Sequence, residues 1–194
     1  MSLPRALPPP EELLGAYAHG LFPMAHDDGH LYWHDPDPRA IFPLQDIRPN
    51  ARLRRFTRNE GYHCTVDRCF TTVMASCADR PSTWITPEMI AVYTALHRGG
   101  YAHSVETWHG DLLIGGIYGI SIGGAFFGES MFSRAPNASK VAFHFLAAHL
   151  REQGFSLFDT QYINDHTRML GALEIPREHF RVLLADALRR PVSF

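Results

Sequence analysis

The sequence predicts an α+β fold, a regular main domain preceded by a small irregular lobe, and three observations predict it. First, 45% of the 194 residues are apolar, enough for one generous core. Second, Pro36, Pro38, Pro43 and Pro49 crowd one short stretch and forbid a long helix there, so residues 1–60 form a small N-terminal lobe. Third, from about Tyr62 onward the pattern runs strand, helix, helix, three-strand meander, long helix, strand, helix, which is not the strict alternation of a parallel α/β sheet. Residues 61–194 are therefore expected to form the main domain.

Each element has a local cause. In the lobe, Glu11 to His19 is a short helix stopped by Gly20, and "LYWHDPDPRAIFPL" alternates strand with turn chemistry. "YHCTVD" is a strand and Arg68 to Cys77 a helix. "TPEMIAVYTALHRGG" carries Thr86 as N-cap, Pro87 in the first turn and Gly99 as its stop. His109, Gly110 and Asp111 signal a hairpin, and β-branched and aromatic residues on both sides give about three antiparallel strands. "NASKVAFHFLAAHLREQG", opened by Asn137 and closed by Gly154, is apolar on more than one side, as a central helix is. "FSLFDTQ" is a strand and "IPREHFRVLLADALRR" the last helix. This order matches, by analogy, the GCN5-related acyltransferase-like (GNAT-type) fold.

Bulk properties narrow the function. A net charge of −2 carries no global field for nucleic acid, so any such partner needs a local patch. One exists in "RPNARLRRFTR", where Arg48, Arg52, Arg54, Arg55 and Arg58 cluster, with Arg39 just upstream. Cys64, Cys69 and Cys77 are odd in number and lack CxxC spacing, which points to neither a disulfide framework nor a zinc site and fits a reducing compartment. With no 18-residue apolar stretch and no signal-peptide core, the expected location is cytoplasmic, away from membranes.

The chemistry centres on "GGAFFGESMFSR", which sets Glu129 in an apolar strand. Burying a charge costs several kcal/mol or more, so this acid either reaches solvent or a partner, or sits at the bottom of a greasy pocket suited to a half-apolar, half-cationic ligand. Gly119-Ile-Ser121-Ile-Gly123 satisfies the GxSxG elbow, but strand rather than helix follows, which argues against Ser121 as a nucleophile. His26, His30 and His34 are spaced by four, yet Gly29 and the flanking prolines deny them a shared helical face, and no metal site is expected. "MFSRAPNASK" holds no glycine to let backbone amides approach a pyrophosphate, which disfavours coenzyme A. In "FDTQ", alternation puts Asp159 and Gln161 on one face of a strand, placed either to cap backbone or to hold an amine. Trp33, Trp84, Tyr93 and Trp108 offer flat surfaces, and Trp33 lies near the arginines, as base stacking beside phosphate contacts requires.

Taken in order, "GLFPM", "YWHDPDPRAIF", "TWITPEMIAVYTALH", "AHSVETW", "GGIYGISIGGAFFGESMFSRAPNASK" and "DTQYINDHTRMLGALEIPR" resemble the leucyl/phenylalanyl-tRNA–protein transferase family from about Leu13 to Phe180. Tyr32 and His34 depart from it, standing where tryptophan and serine are common. The resemblance implies an aminoacyltransferase that moves leucine or phenylalanine, less readily methionine, from aminoacyl-tRNA to the N-terminal arginine or lysine of a protein, marking it for degradation. It implies no cofactor and no metal. It also implies that Asp159 and Gln161 are catalytic, with Gln161 orienting the amine and Asp159, or the tRNA ribose, as the proton route. Ile117, Phe126, Met131 and Phe158 then line a slot for the donated side chain, Ser130 joins the substrate site, and Glu129 faces the cationic acceptor or the donor amino group. Trp33 stacks on the terminal adenosine, Trp84 and Tyr93 complete the site, and Arg39, Arg48, Arg52, Arg54, Arg55 and Arg58 hold tRNA phosphates. Strict alternation puts Phe126 and Glu129 on opposite faces, so either a bulge at Gly128 re-aims one of them or the slot is partly misassigned. The expected partners are aminoacyl-tRNA and proteins led by arginine or lysine, the expected state a monomer. The competing reading is a thioester-dependent small-molecule N-acyltransferase of the same fold.

Overall fold

A computed structural model describes residues 8–25, 30–81 and 83–194. In chain order the elements are α1 (Pro10–Ala18), β1 (Phe22–Ala25), β2 (Leu31–His34), β3 (Arg39–Phe42), α2 (Ala51–Asn59), β4 (Tyr62–Val66), α3 (Phe70–Ala78) and α4 (Pro87–Arg98). There follow β5 (Ala102–His109), β6 (Leu112–Ile122), β7 (Ala125–Ser133), α5 (Ala138–Gln153), β8 (Leu157–Gln161), α6 (Asp165–Met169), β9 (Leu173–Ile175) and α7 (Arg177–Leu188). The fold is α+β with a mixed sheet.

Caps and turns act largely where the residues place them. The Thr86 side chain accepts from the Met89 amide and opens α4, and Gly110, at φ +56°, makes the β5–β6 hairpin. Asn137 precedes α5 but takes φ +62° and gives no side-chain cap. Helix α2 was not anticipated from sequence. Its only buried residue is Leu53, so it has no apolar stripe to betray it; Asn50 starts it by accepting from the Leu53 amide at 2.8 Å.

The main sheet, among the described residues, has seven strands in the order β4-β5-β6-β7-β8-β3-β9. All neighbours are antiparallel except β7 and β8. Neighbouring Ile117 and Tyr118 in β6 join different apolar clusters, as alternation demands: Tyr118 packs with α1, α3, α4 and α7, Ile117 with α5. The division at residue 60 expected from composition does not match the packing. Strand β3 lies inside the main sheet, hydrogen-bonded to β8 and β9, while β1 and β2 form a separate two-stranded sheet.

Two irregularities position the site. In β7, Tyr118 of β6 pairs with Ser130 and Gly119 with Gly128, so Glu129 is the extra residue of a bulge. Gly119 must be glycine, because a Cβ there would overlap the Phe127 carbonyl oxygen. The parallel pair β7–β8 ends at Phe127 opposite Asp159, while β7 runs on to Ser133 and β8 to Gln161. The unpaired ends open a gap.

Candidate functional site

A cavity of about 500 Å³ fills that gap. Ile117, Met131, Phe132 and Phe158 form its apolar wall, with Phe42 from β3, and Glu129 and Gln161 supply polar groups. Glu129 stays on the face opposite Phe126, where it meets Tyr17, and the bulge returns Met131 to the face of Phe126 and Ile117.

Glu129 is the hub of a hydrogen-bonded network. Its Oε1 accepts from the Tyr17 hydroxyl at 2.8 Å and from Gln161 Nε2 at 3.0 Å. Because the Tyr17 proton is committed to Glu129, Tyr93, with its oxygen 2.6 Å away, donates to Tyr17. Burial pushes both phenols well above the usual tyrosine range, so they remain O–H donors. Burial likewise raises the Glu129 carboxyl to about 8; the bonds from Tyr17 and Gln161 and the Arg39 charge oppose the rise, and Asp159 adds to it. The residue keeps a partial opening onto the cavity. Its Oε2 forms no hydrogen bond to Tyr17 or Gln161, so it is the oxygen left for a ligand or a proton.

Asp159 lies elsewhere in the arrangement than its predicted contact with an amine requires. Its side chain is fully buried and does not line the cavity. Arg39 grips it in two places, Nε to Oδ1 at 2.9 Å and a terminal nitrogen to Oδ2 at 2.6 Å. Oδ1 also accepts from the Gln161 amide at 3.1 Å, and Gln161 takes φ +62°, a conformation rare for non-glycine residues. Asp159 thus pins a strained backbone that aims the Gln161 side chain at Glu129. Alternation alone does not describe that aim.

Arg39, grouped by sequence with the phosphate-contacting arginines, is corrected by the same geometry. It is fully buried, donates to the Gly20 carbonyl at 2.7 Å, and its guanidinium carbon sits 4.9 Å from the Phe22 ring centre and 4.4 Å from that of Phe180. No phosphate can reach it. Arg48, Arg52, Arg54, Arg55 and Arg58, by contrast, are all exposed on or beside α2 and form no ion pair among the described residues.

Other predicted residues divide between the cavity and its surroundings. Ile117, Met131, Phe158, Ser130 and Trp84 line it. Phe126 does not; it is buried in the α5 cluster against Phe158. Tyr93 acts one step behind, through Tyr17. Trp33, in β2 and 36% exposed, lies outside the lining. Ser121 sits buried within β6 and is not on a strand-to-helix turn. His34 Nδ1 lies 2.9 Å from the Tyr162 hydroxyl, while His26 falls outside the described residues. No cluster of three or more metal-ligating side chains occurs among the described residues, and no helix there is long and apolar enough to cross a membrane. Sequence reasoning missed Tyr17, Arg80 and His166. His166 lines the cavity with its Nε2 3.1 Å from Met131 Sδ, and burial holds its imidazole below the usual range. The short "INDHTRM" stretch that carries it closes on a reciprocal cap between Asn164 and Thr167, a readable helix-start signal.

A family model described as leucyl/phenylalanyl-tRNA protein transferase matches residues 41–185, and one described as the N-terminal domain of the same transferase matches residues 8–37. A leucyl/phenylalanyl-tRNA–protein transferase from Gloeobacter violaceus is 50% identical over 186 residues, covering 95% of this chain and 96% of the relative. One from Afipia carboxidovorans is 49% identical over 191 residues, covering 95% and 84%. Among solved structures, L-PGS from Bacillus licheniformis aligns with a TM-score of 0.49 at 14% identity, covering 79% of this chain and 65% of that one. That likeness is too distant to carry any residue across.

Proposed function

Because the chain belongs to the leucyl/phenylalanyl-tRNA–protein transferase family, we propose that the cavity between β7 and β8 is where the aminoacyl ester meets the acceptor amine. The enzyme moves leucine or phenylalanine, less readily methionine, from tRNA to an N-terminal arginine or lysine, and in the bacterial N-degron pathway the product is marked for degradation. The observation that carries the site assignment is the convergence of Glu129 and Gln161 on one apolar cavity. A mixed sheet opening at its one parallel pair also fits an acyltransferase-like, GNAT-type architecture.

In this reading Ile117, Met131 and Phe158 hold the donated side chain, whose burial is worth about 1.5–3 kcal/mol, enough to disfavour polar donors. The ester is already activated, so no protein nucleophile is needed. The α-amine nitrogen attacks the ester carbonyl carbon, the bond to the ribose oxygen breaks, and that oxygen leaves with a proton. Gln161 orients the amine, since an amide is a poor base. Asp159 is sealed behind Arg39 and holds Gln161 in place. Glu129, raised to about 8, is matched to an α-amine whose pKa is about 8: in its carboxylate form its Oε2 takes the amine proton and passes it to the leaving ribose oxygen. The exposed α2 arginines, with Lys140 and His144 along the neighbouring groove, seat tRNA phosphates without reading sequence.

Phenylalanine radiolabelled on its tRNA should pass to a peptide beginning with arginine and not to one beginning with alanine. Absence of label on the first peptide ends the proposal, and equal label on both ends its specificity. Arg54 and Arg55 changed together to alanine should weaken tRNA binding and reduce the slope of log affinity against log salt by about 2, one for each lost phosphate contact. An unchanged slope would mean a merely solvated helix face.

A further inference from the structure

Arg80 stands at the end of α3, in the loop leading to Trp84, and is the one lysine or arginine among the described residues that line the cavity. Its guanidinium is fixed before any ligand arrives: Nε donates to the Cys77 carbonyl at 2.7 Å and a terminal nitrogen donates to Ser130 Oγ at 2.6 Å. Both acceptors are neutral. Arg80 is exposed and forms no ion pair among the described residues, so its charge is offset by nothing in the wall. An anion is therefore drawn to this corner of the cavity. The Trp84 indole, a flat apolar surface, lines the same cavity. A fixed guanidinium and an aromatic ring lining one cavity suit a nucleotide, the ring facing a base or ribose and the fork facing phosphate oxygens.

Resting on the function proposed above, we infer that Arg80 anchors the 5′-phosphate of the donor's terminal nucleotide, so that the donor site extends one phosphate beyond the aminoacyl-nucleoside. Its contribution is to place the ester relative to Gln161, and it makes a phosphorylated end a better ligand than the bare nucleoside. Ser130, through its hydroxyl, holds the arginine in register with the bulge that presents Glu129.

Competition against phenylalanyl-tRNA with puromycin and puromycin 5′-monophosphate tests this. In the wild-type enzyme the phosphorylated inhibitor should bind at least about tenfold more tightly, a difference of about 1.4 kcal/mol. Arg80→Ala should abolish that preference and leave the affinity of unphosphorylated puromycin unchanged, which also shows that the variant is folded; Arg80→Lys should keep part of it. Equal inhibition by the two compounds in the wild type, or a preference that survives Arg80→Ala, overturns the inference. So does transfer from phenylalanyl-tRNA that neither compound inhibits. If labelled peptide forms normally in any of these cases, the transferase reading stands and only the phosphate subsite is lost.

Discussion

Asp159→Asn should destabilise the fold by about 3–5 kcal/mol, read as a lower urea midpoint at an unchanged slope. The reason is the partner it abandons. Arg39 and Asp159 are both fully buried and joined by two bonds of 2.9 and 2.6 Å. Removing one member of such a pair leaves a charge with no water and no counter-ion, which costs far more than the pair gains over an apolar replacement. The stacking of Phe22 and Phe180 on the guanidinium softens the penalty without supplying a negative charge. The double variant Arg39→Met with Asp159→Leu should therefore recover most of the lost stability. It should not recover transfer, because the Gln161 amide, held at φ +62° by the Asp159 carboxylate, then has no acceptor and its side chain no longer meets Glu129. A midpoint for Asp159→Asn equal to wild type would mean the pair contributes nothing. Wild-type transfer by the double variant would show that Asp159 does not position Gln161.

The contrast between these residues and their sequence reading shows what local pattern can and cannot carry. Helix α4 was legible because its signals are neighbours: Thr86, Pro87 and Gly99 each act within four residues. The meander β5–β7 was legible because its turns are short and its strands β-rich. Helix α2 was not, since a helix with one buried residue is indistinguishable from a charged loop. The candidate site wall was half legible. Alternation put Asp159 and Gln161 together, but one has its side chain sealed in the core and the other is turned into the cavity by a left-handed backbone. The bulge was foreseen only as a condition, and Phe126 belongs to the core rather than to the slot. Arg39 was misjudged because five arginines follow within 19 residues, and nothing local reveals that its partner lies 120 positions away. Tyr17 was invisible for the same reason, its partner Glu129 being 112 positions distant.

The same long-range enclosure gives Glu129 a pH signature. Its carboxyl ionises near 4.5 when free and near 8 in the folded chain, so the folded state binds a proton that the unfolded state has already released. The sign follows: the contribution to stability is full below about pH 4.5, falls as the pH rises from there to about 8, and is constant above. The slope across this window is about 1.4 kcal/mol per pH unit, one proton's worth. Glu129→Gln keeps an acceptor for Tyr17 and Gln161 but titrates nowhere. Urea unfolding of both proteins from pH 5 to 9 should therefore show the variant gaining on the wild type steadily until about pH 8 and not beyond. Parallel curves would mean that Glu129 is ionised across the range and not desolvated. The titration also links structure to substrate. An arriving ammonium favours the carboxylate, so an arginine-led peptide should release protons on binding near pH 7, seen as a binding heat that depends on the buffer, and Glu129→Gln should abolish that dependence. A buffer-independent heat in the wild type would place the acceptor amine away from Glu129 and remove it from the proton route.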